Sequence, residues 1–177
     1  MNRYDQQMQD LKGEFFGASD GYVPIHVTDE DFSQVEKILG EPLPSDYREF
    51  VRDYGMYTIS ATFPLKRNWE PVPPGSVQFF KGILSGQDEV FQRNYDWLDL
   101  LHIYDHLKAM VEGWPEEWIV IADGDGSDCY ALAFKGVDKG KVFYIAEWSM
   151  TRRIQIADSF DAFLMQIQRL DTDDIDC

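Results

Sequence analysis

Apolar residues keep helical spacing over 4–15, 32–54 and 100–111, and beyond residue 117 they change to short extended runs. Tyr4, Met8, Leu11 and Phe15 stand four, three and four apart, which lines one side of a short helix before Gly17 and Gly21 interrupt it. Thr28-Asp29-Glu30-Asp31 has the form of a capping box. Phe32, Val35, Ile38 and Leu39 then share a face, and Gly40 stands where a left-handed cap belongs. Between Leu43 and Gly55, Pro44 suits a first helical turn, and Tyr47, Phe50, Val51 and Tyr54 fall at i, i+3, i+4 and i+7. Two amphipathic helices so closely joined are expected to form a hairpin that buries facing stripes.

From Met56 to Gly75 the pattern fades, and Pro64, Pro71, Pro73 and Pro74 predict an irregular surface segment. Val77 to Phe80 reads as a strand ending at Gly82, and Ser85 to Asn94 as a polar loop. Leu100, Ile103, Tyr104, Leu107, Met110 and Val111 predict a third helix that stops at Gly113 and Pro115. Trp118–Ala122, Tyr130–Phe134 and Val142–Ala146 are apolar runs separated by Asp/Gly and Gly/Lys turns, the pattern of an antiparallel meander. A fourth strand is expected at Ile154 to Ile156, and Ser159 opens a last helix carrying Phe160, Phe163, Leu164 and Ile167. The fold class is therefore α+β: two N-terminal helices in a hairpin, a third helix, then an antiparallel sheet closed by a C-terminal helix. Residues 1–26 read as a docking arm, 27–169 as the domain and 170–177 as an acidic tail.

Composition narrows what such a domain can bind. With 44% hydrophobic and 15% aromatic residues, the chain has the apolar surface to offset the entropy of ordering. The formal charge of -16 repels phosphate backbones and anionic headgroups, so neither direct nucleic-acid binding nor membrane binding is expected. Cys129 and Cys177 make no disulfide framework, and neither a signal peptide nor a spanning apolar run is evident, which points to a reduced, cytoplasmic protein.

No catalytic constellation stands out. Asp123-Gly124-Asp125-Gly126-Ser127-Asp128 resembles the opening of a calcium loop, but its sixth position is Asp128 and its twelfth Phe134, where Gly and an acid belong. A hairpin turn projecting three carboxylates is the favoured reading. His102 and His106, four apart with Asp99 one turn earlier, have metal-ligand spacing on one helix face and would serve a metal-dependent hydrolase. Nothing nominates the remaining ligands, so two histidines on a solvated face are preferred, and no metal or cofactor is expected. Cys129 reads as a small buried hydrophobe. Neither a Gly-x-Ser-x-Gly elbow nor a phosphate-binding loop is present. What remains is acid interleaved with aromatics, in Tyr95-Asp96-Trp97-Leu98-Asp99 and Trp114-Pro115-Glu116-Glu117-Trp118, a mixture suited to a basic partner with apolar pockets.

The block Leu43-Pro44-Ser45-Asp46-Tyr47-Arg48-Glu49-Phe50, the run Trp118–Ala122, Gly140-Lys141-Val142-Phe143-Tyr144 and Ala157-Asp158-Ser159-Phe160-Asp161-Ala162-Phe163-Leu164, in this order, resemble the SUKH superfamily of Smi/Knr-like domains from about Val27 to Gln168. Such domains commonly carry an Asn-Gly-Gly-like turn after the second helix, where this chain has Tyr54-Gly55-Met56. The resemblance implies a non-catalytic α+β domain, often the bacterial immunity partner of a nuclease or deaminase toxin. Fungal relatives look like regulatory interaction proteins, which makes a scaffold with a host partner the alternative. The expected partner is a basic toxin domain, and the expected contacts are Asp96, Trp97, Asp99, Asp123, Asp125 and Asp128. The oligomeric state is left open.

Overall fold

An antiparallel sheet with strands in sequence order organises the chain, and a computed structural model describes it over residues 2–16, 18, 21–24, 26–63, 75–84 and 89–169. Helix α1 (Asp5–Asp10) and strand β1 (Glu14–Phe15) come first, then α2 (Asp29–Leu39), α3 (Ser45–Tyr54), β2 (Tyr57–Phe63), β3 (Gly75–Phe80), α4 (Glu89–Tyr95) and α5 (Leu100–Met110). They are followed by β4 (Trp118–Asp123), β5 (Cys129–Ala133), β6 (Val142–Ile145), β7 (Arg153–Ala157), α6 (Phe160–Leu164) and β8 (Gln168–Arg169). Strands β1 to β7 are neighbours in that order, all antiparallel, and β8 pairs with β2. The α+β class read from the sequence is the observed one.

Local signals explain the helix ends. Thr28 accepts from the Asp31 amide while Asp31 accepts from the Thr28 amide, and Gly40 caps the far end at φ 78°. Asp99 accepts from the amides of Leu101 and His102 at the start of α5, and Ser159 from Ala162 at the start of α6. Arg48 and Arg52 reach Asp29 at 3.0 and 2.7 Å and lie over the Phe32 ring, tying α3 to α2.

Continuous apolar strands make sense because the sheet is covered on both sides. Ile119, Ile121, Tyr130, Leu132 and Tyr144 point into a core with α1, α2, α3 and α6, where Phe50 and Phe160 pack 4.9 Å apart. The alternate residues Trp118, Val120, Ala131, Phe143 and Ile145 pack under Leu107 of α5 and Trp114. Tyr4 belongs to the first core; its hydroxyl donates to Asp161 at 2.5 Å and accepts from Arg3 at 2.6 Å.

Three expectations are overturned. The helix expected to carry Tyr4, Met8, Leu11 and Phe15 on one side ends at Asp10, and Phe15 lies on β1 in a separate cluster from the other three. Residues 57–63 form a strand, not an irregular segment: Tyr57, Ile59, Ala61 and Phe63 alternate with Thr58, Ser60 and Thr62, a period of two masked by the proline-rich stretch after it. Those prolines, like the acidic tail 170–177, lie outside the described residues. Within the expected loop, Glu89–Tyr95 is helical because Phe91 and Tyr95, one turn apart, bury beside Phe15, Met56, Leu84 and Leu98. Ile38 and Met110, placed in apolar stripes by their spacing, are 62% and 70% exposed, since they sit on the flanks of stripes that the remaining residues fill.

The backbone passes close to a neighbouring segment at Gly82. A Cβ there would come within 2.6 Å of Met56 Cγ and 3.1 Å of the Met56 amide nitrogen, so the segment after β3 runs against the α3–β2 turn only without a side chain.

Phe50→Ala is expected to cost about 3–5 kcal/mol in urea unfolding, and Ile38→Ala less than about 0.5 kcal/mol. Tyr47 is fully buried, and its hydroxyl has no hydrogen-bond partner among the described residues. Tyr47→Phe should therefore leave stability unchanged or raise it by about 1 kcal/mol; a clear loss would show that the hydroxyl is satisfied in solution.

Candidate functional site

Helix α5 covers the second face of the sheet only in part. Beyond its edge, the strand pair β3–β4, the turn at Asp96–Leu98 and the loops after β4 and β6 enclose a cleft of about 460 Å³. Phe79 and Trp97 meet edge to face at 5.3 Å on one wall. Ile103, His106 and Trp148 also line it, the last two rings 6.5 Å apart.

Lys81 lies at the base. Its side chain is 2% exposed, the one buried charge among the described residues, and its ammonium donates to Asp123 Oδ2 at 2.6 Å and to the Trp97 carbonyl at 2.8 Å. Burial pulls the Lys81 ammonium below its ordinary value and pushes the Asp123 carboxyl up, because the apolar surroundings penalise both charges. Their mutual attraction opposes both shifts. The pair locks the end of β3, the end of β4 and the Trp97 turn together.

Trp148 reaches the cleft by unusual backbone. Glu147 and Trp148 both take left-handed conformation, at φ 52° and 51°, which costs non-glycine residues free energy unless neighbours impose it. Here Asp128 accepts the Glu147 amide at 2.9 Å, the Ser127 carbonyl accepts the Trp148 amide at 3.1 Å, and Arg152 holds the Glu147 carboxylate at 2.7 Å.

Around this cleft the structure distributes the six residues nominated from the sequence, with different roles. Trp97 and Asp123 line it. Asp125 stands exposed on its rim and accepts from Gln78 at 2.6 Å. Asp96, also exposed, shares with Asp99 and His102 a smaller adjoining hollow of about 210 Å³. Three of the carboxylates are committed inside the fold. Asp123 holds Lys81, Asp99 accepts the amides of Leu84, Leu101 and His102, and Asp128 accepts from the Tyr144 hydroxyl and the Glu147 amide. The Asp/Gly segment is a β4–β5 hairpin loop, closed by the Gly124 amide donating to the Asp128 carbonyl at 2.8 Å, and of its three carboxylates only Asp125 is fully presented.

A family model for the SMI1 / KNR4 family (SUKH-1) matches residues 26–166. The chain belongs to that family. Comparison with curated proteins finds no match. In this SMI1/KNR4 chain the hallmarks of chemistry are either absorbed into structure or apart. No group of three His, Cys, Asp or Glu side chains suited to a metal ion occurs among the described residues. His102 and His106 both line the cleft, yet the Asp99 carboxylate expected to join them is spent on backbone amides. Cys129 is fully buried, and burial pushes its thiol up, away from the reactive thiolate. No helix among the described residues is long and apolar enough to cross a membrane.

Sequence reasoning missed Lys81 and Trp148. The signal for Trp148 was present: Glu147-Trp148 repeats the pairing of acid with aromatic that singled out Asp96-Trp97. Trp114 and Trp118, from the other such segment, are 7% and 6% exposed and belong to the second core.

Lys81→Met, which strands Asp123, is expected to lower unfolding stability by about 3 kcal/mol. Lys81→Met combined with Asp123→Leu should recover more than half of that; equal losses would mean the pair is not the anchor. In a Cys177→Ser background, Cys129 should resist a thiol reagent in the native protein and react at the rate of unfolding.

Proposed function

We propose that this protein is a non-catalytic immunity protein that binds and neutralises a basic toxin domain, nuclease-like or deaminase-like, through the cleft and its rim. One observation carries the reading: in an SMI1/KNR4 domain with a net charge of -16, exposed Trp148 and half-buried Trp97 line one cleft, with exposed Asp125 at its edge and exposed Asp96 in the adjoining hollow. A toxin that acts on nucleic acid presents a basic active site, and an acidic face competes for it through complementary potential, which speeds encounter. Aromatic side chains held without freedom to relax supply the short-range contacts that slow dissociation. Asp96, Trp97 and Asp125 then act as contacts, while Asp99, Asp123 and Asp128 hold the elements that present them. SUKH domains acting as immunity proteins need no catalytic group, which agrees with the committed state of Asp99 and Cys129.

The test is co-expression with the toxin domain encoded by the adjoining gene. Growth should be restored and a complex isolated. The double variant Asp96→Lys/Asp125→Lys should slow association about tenfold at low ionic strength and flatten its salt dependence. Absence of both rescue and complex would overturn the immunity reading in favour of a regulatory scaffold.

A further inference from the structure

We infer that the cleft between Trp97 and Trp148 is a receptor for one side chain of the partner, an arginine. The inference rests on the proposed use of this face and adds which group occupies it.

Charge favours a cation. Asp123 at the base and exposed Asp125, held by Gln78 of the cleft lining, set two carboxylates against the single ammonium of Lys81. That ammonium is 2% exposed and already covered by Asp123 Oδ2 and the Trp97 carbonyl, so it presents little charge to an entering group. The Asp123 side chain keeps 27% of its surface exposed and offers acceptor capacity at the floor. A carboxylate or phosphate ligand would meet two like charges here.

Shape and surface choose among cations. The cleft is lined by the rings of Phe79, Trp97 and Trp148, and its apolar walls disfavour a strongly hydrated ammonium. A guanidinium is planar, weakly hydrated, stacks on indole faces and can share its five donors between the floor carboxylate and the rim. A volume of about 460 Å³ is ample for one such side chain with its methylene stem.

Preorganisation supports the same occupant. Trp148 is 41% exposed, yet its backbone is fixed in left-handed conformation by Ser127, by Asp128 through the preceding amide, and by the Arg152–Glu147 ion pair. An exposed aromatic held in a costly conformation loses little entropy when a ligand stacks on it.

The test uses the full chain labelled with nitrogen-15, reading the indole resonances of Trp97 and Trp148, each assigned by its Phe variant. The probe is the blocked tripeptide acetyl-Gly-Arg-Gly-amide, with lysine and citrulline counterparts, at constant ionic strength. Both indoles should shift saturably with the arginine peptide, with Kd on the order of millimolar for so small a ligand. The uncharged citrulline peptide should bind at least about fivefold more weakly, and lysine should fall between the two. Asp125→Asn should weaken the arginine peptide about threefold. No saturable shift, equal shifts with citrulline, or lysine equal to arginine would each overturn the assignment. Because the titration contains no toxin, its failure leaves the immunity reading standing. A failed growth rescue beside a successful titration would instead remove the toxin and keep the arginine site.

Discussion

Burial on both faces of the sheet is the constraint from which the rest of the molecule follows. Strands β4, β5 and β6 are apolar at nearly every position, so neither face tolerates water, and a helical layer is needed on each side. The first face receives α1, α2, α3 and α6, with Phe50, Phe160 and Tyr130 at its centre. The second receives mainly α5 and Trp114. Eleven residues of helix cannot span the full sheet, and the uncovered remainder at β3 and the end of β4 is the cleft.

The polar groups at that uncovered margin have a corresponding physical role. A lysine at the end of β3 would be intolerable under full cover, and an isolated ammonium in open solvent would fix nothing. At the boundary, where Asp123 is partly wet and Lys81 is dry, the ion pair can form with one partner still hydrated, which lowers its desolvation cost. The same margin lets Trp97 and Trp148 remain partly open while their backbones are fixed by Lys81, Ser127 and Asp128. Rigidity and exposure, which usually exclude one another in a loop, coexist there.

Elements with strong local signals were legible in the sequence: the Thr28 capping box, the Ser159 cap, the stripe Tyr47–Phe50–Val51 and the three apolar strands. The Smi/Knr-like order of motifs agreed with the family match. Strand β2 escaped because its alternation, Tyr57 to Phe63, runs into a proline-rich stretch that argues against any strand. Helix α4 escaped because two aromatics in a polar heptad are a weak period until Phe15 and Met56, distant in sequence, cover them. The nominated carboxylates could be gathered near aromatics by reading, but their division into held and presented groups depended on Leu84, Tyr144 and Lys81, which only tertiary packing brings to them.

Strand β2 accepts β1 at Tyr57 and Thr58 and β8 at Ala61 and Thr62, while the Gln7 amide donates to the Leu164 carbonyl at 3.1 Å. The chain therefore enters and leaves at the same margin, on two-residue ladders. A pull between its ends is carried by those short ladders, which part before the longer pairings of β4 to β7 are loaded. Tethering this domain at either end, or embedding it within a longer chain, loads β2 first, and the cleft at β3 and the end of β4 lies only one strand further along the sheet.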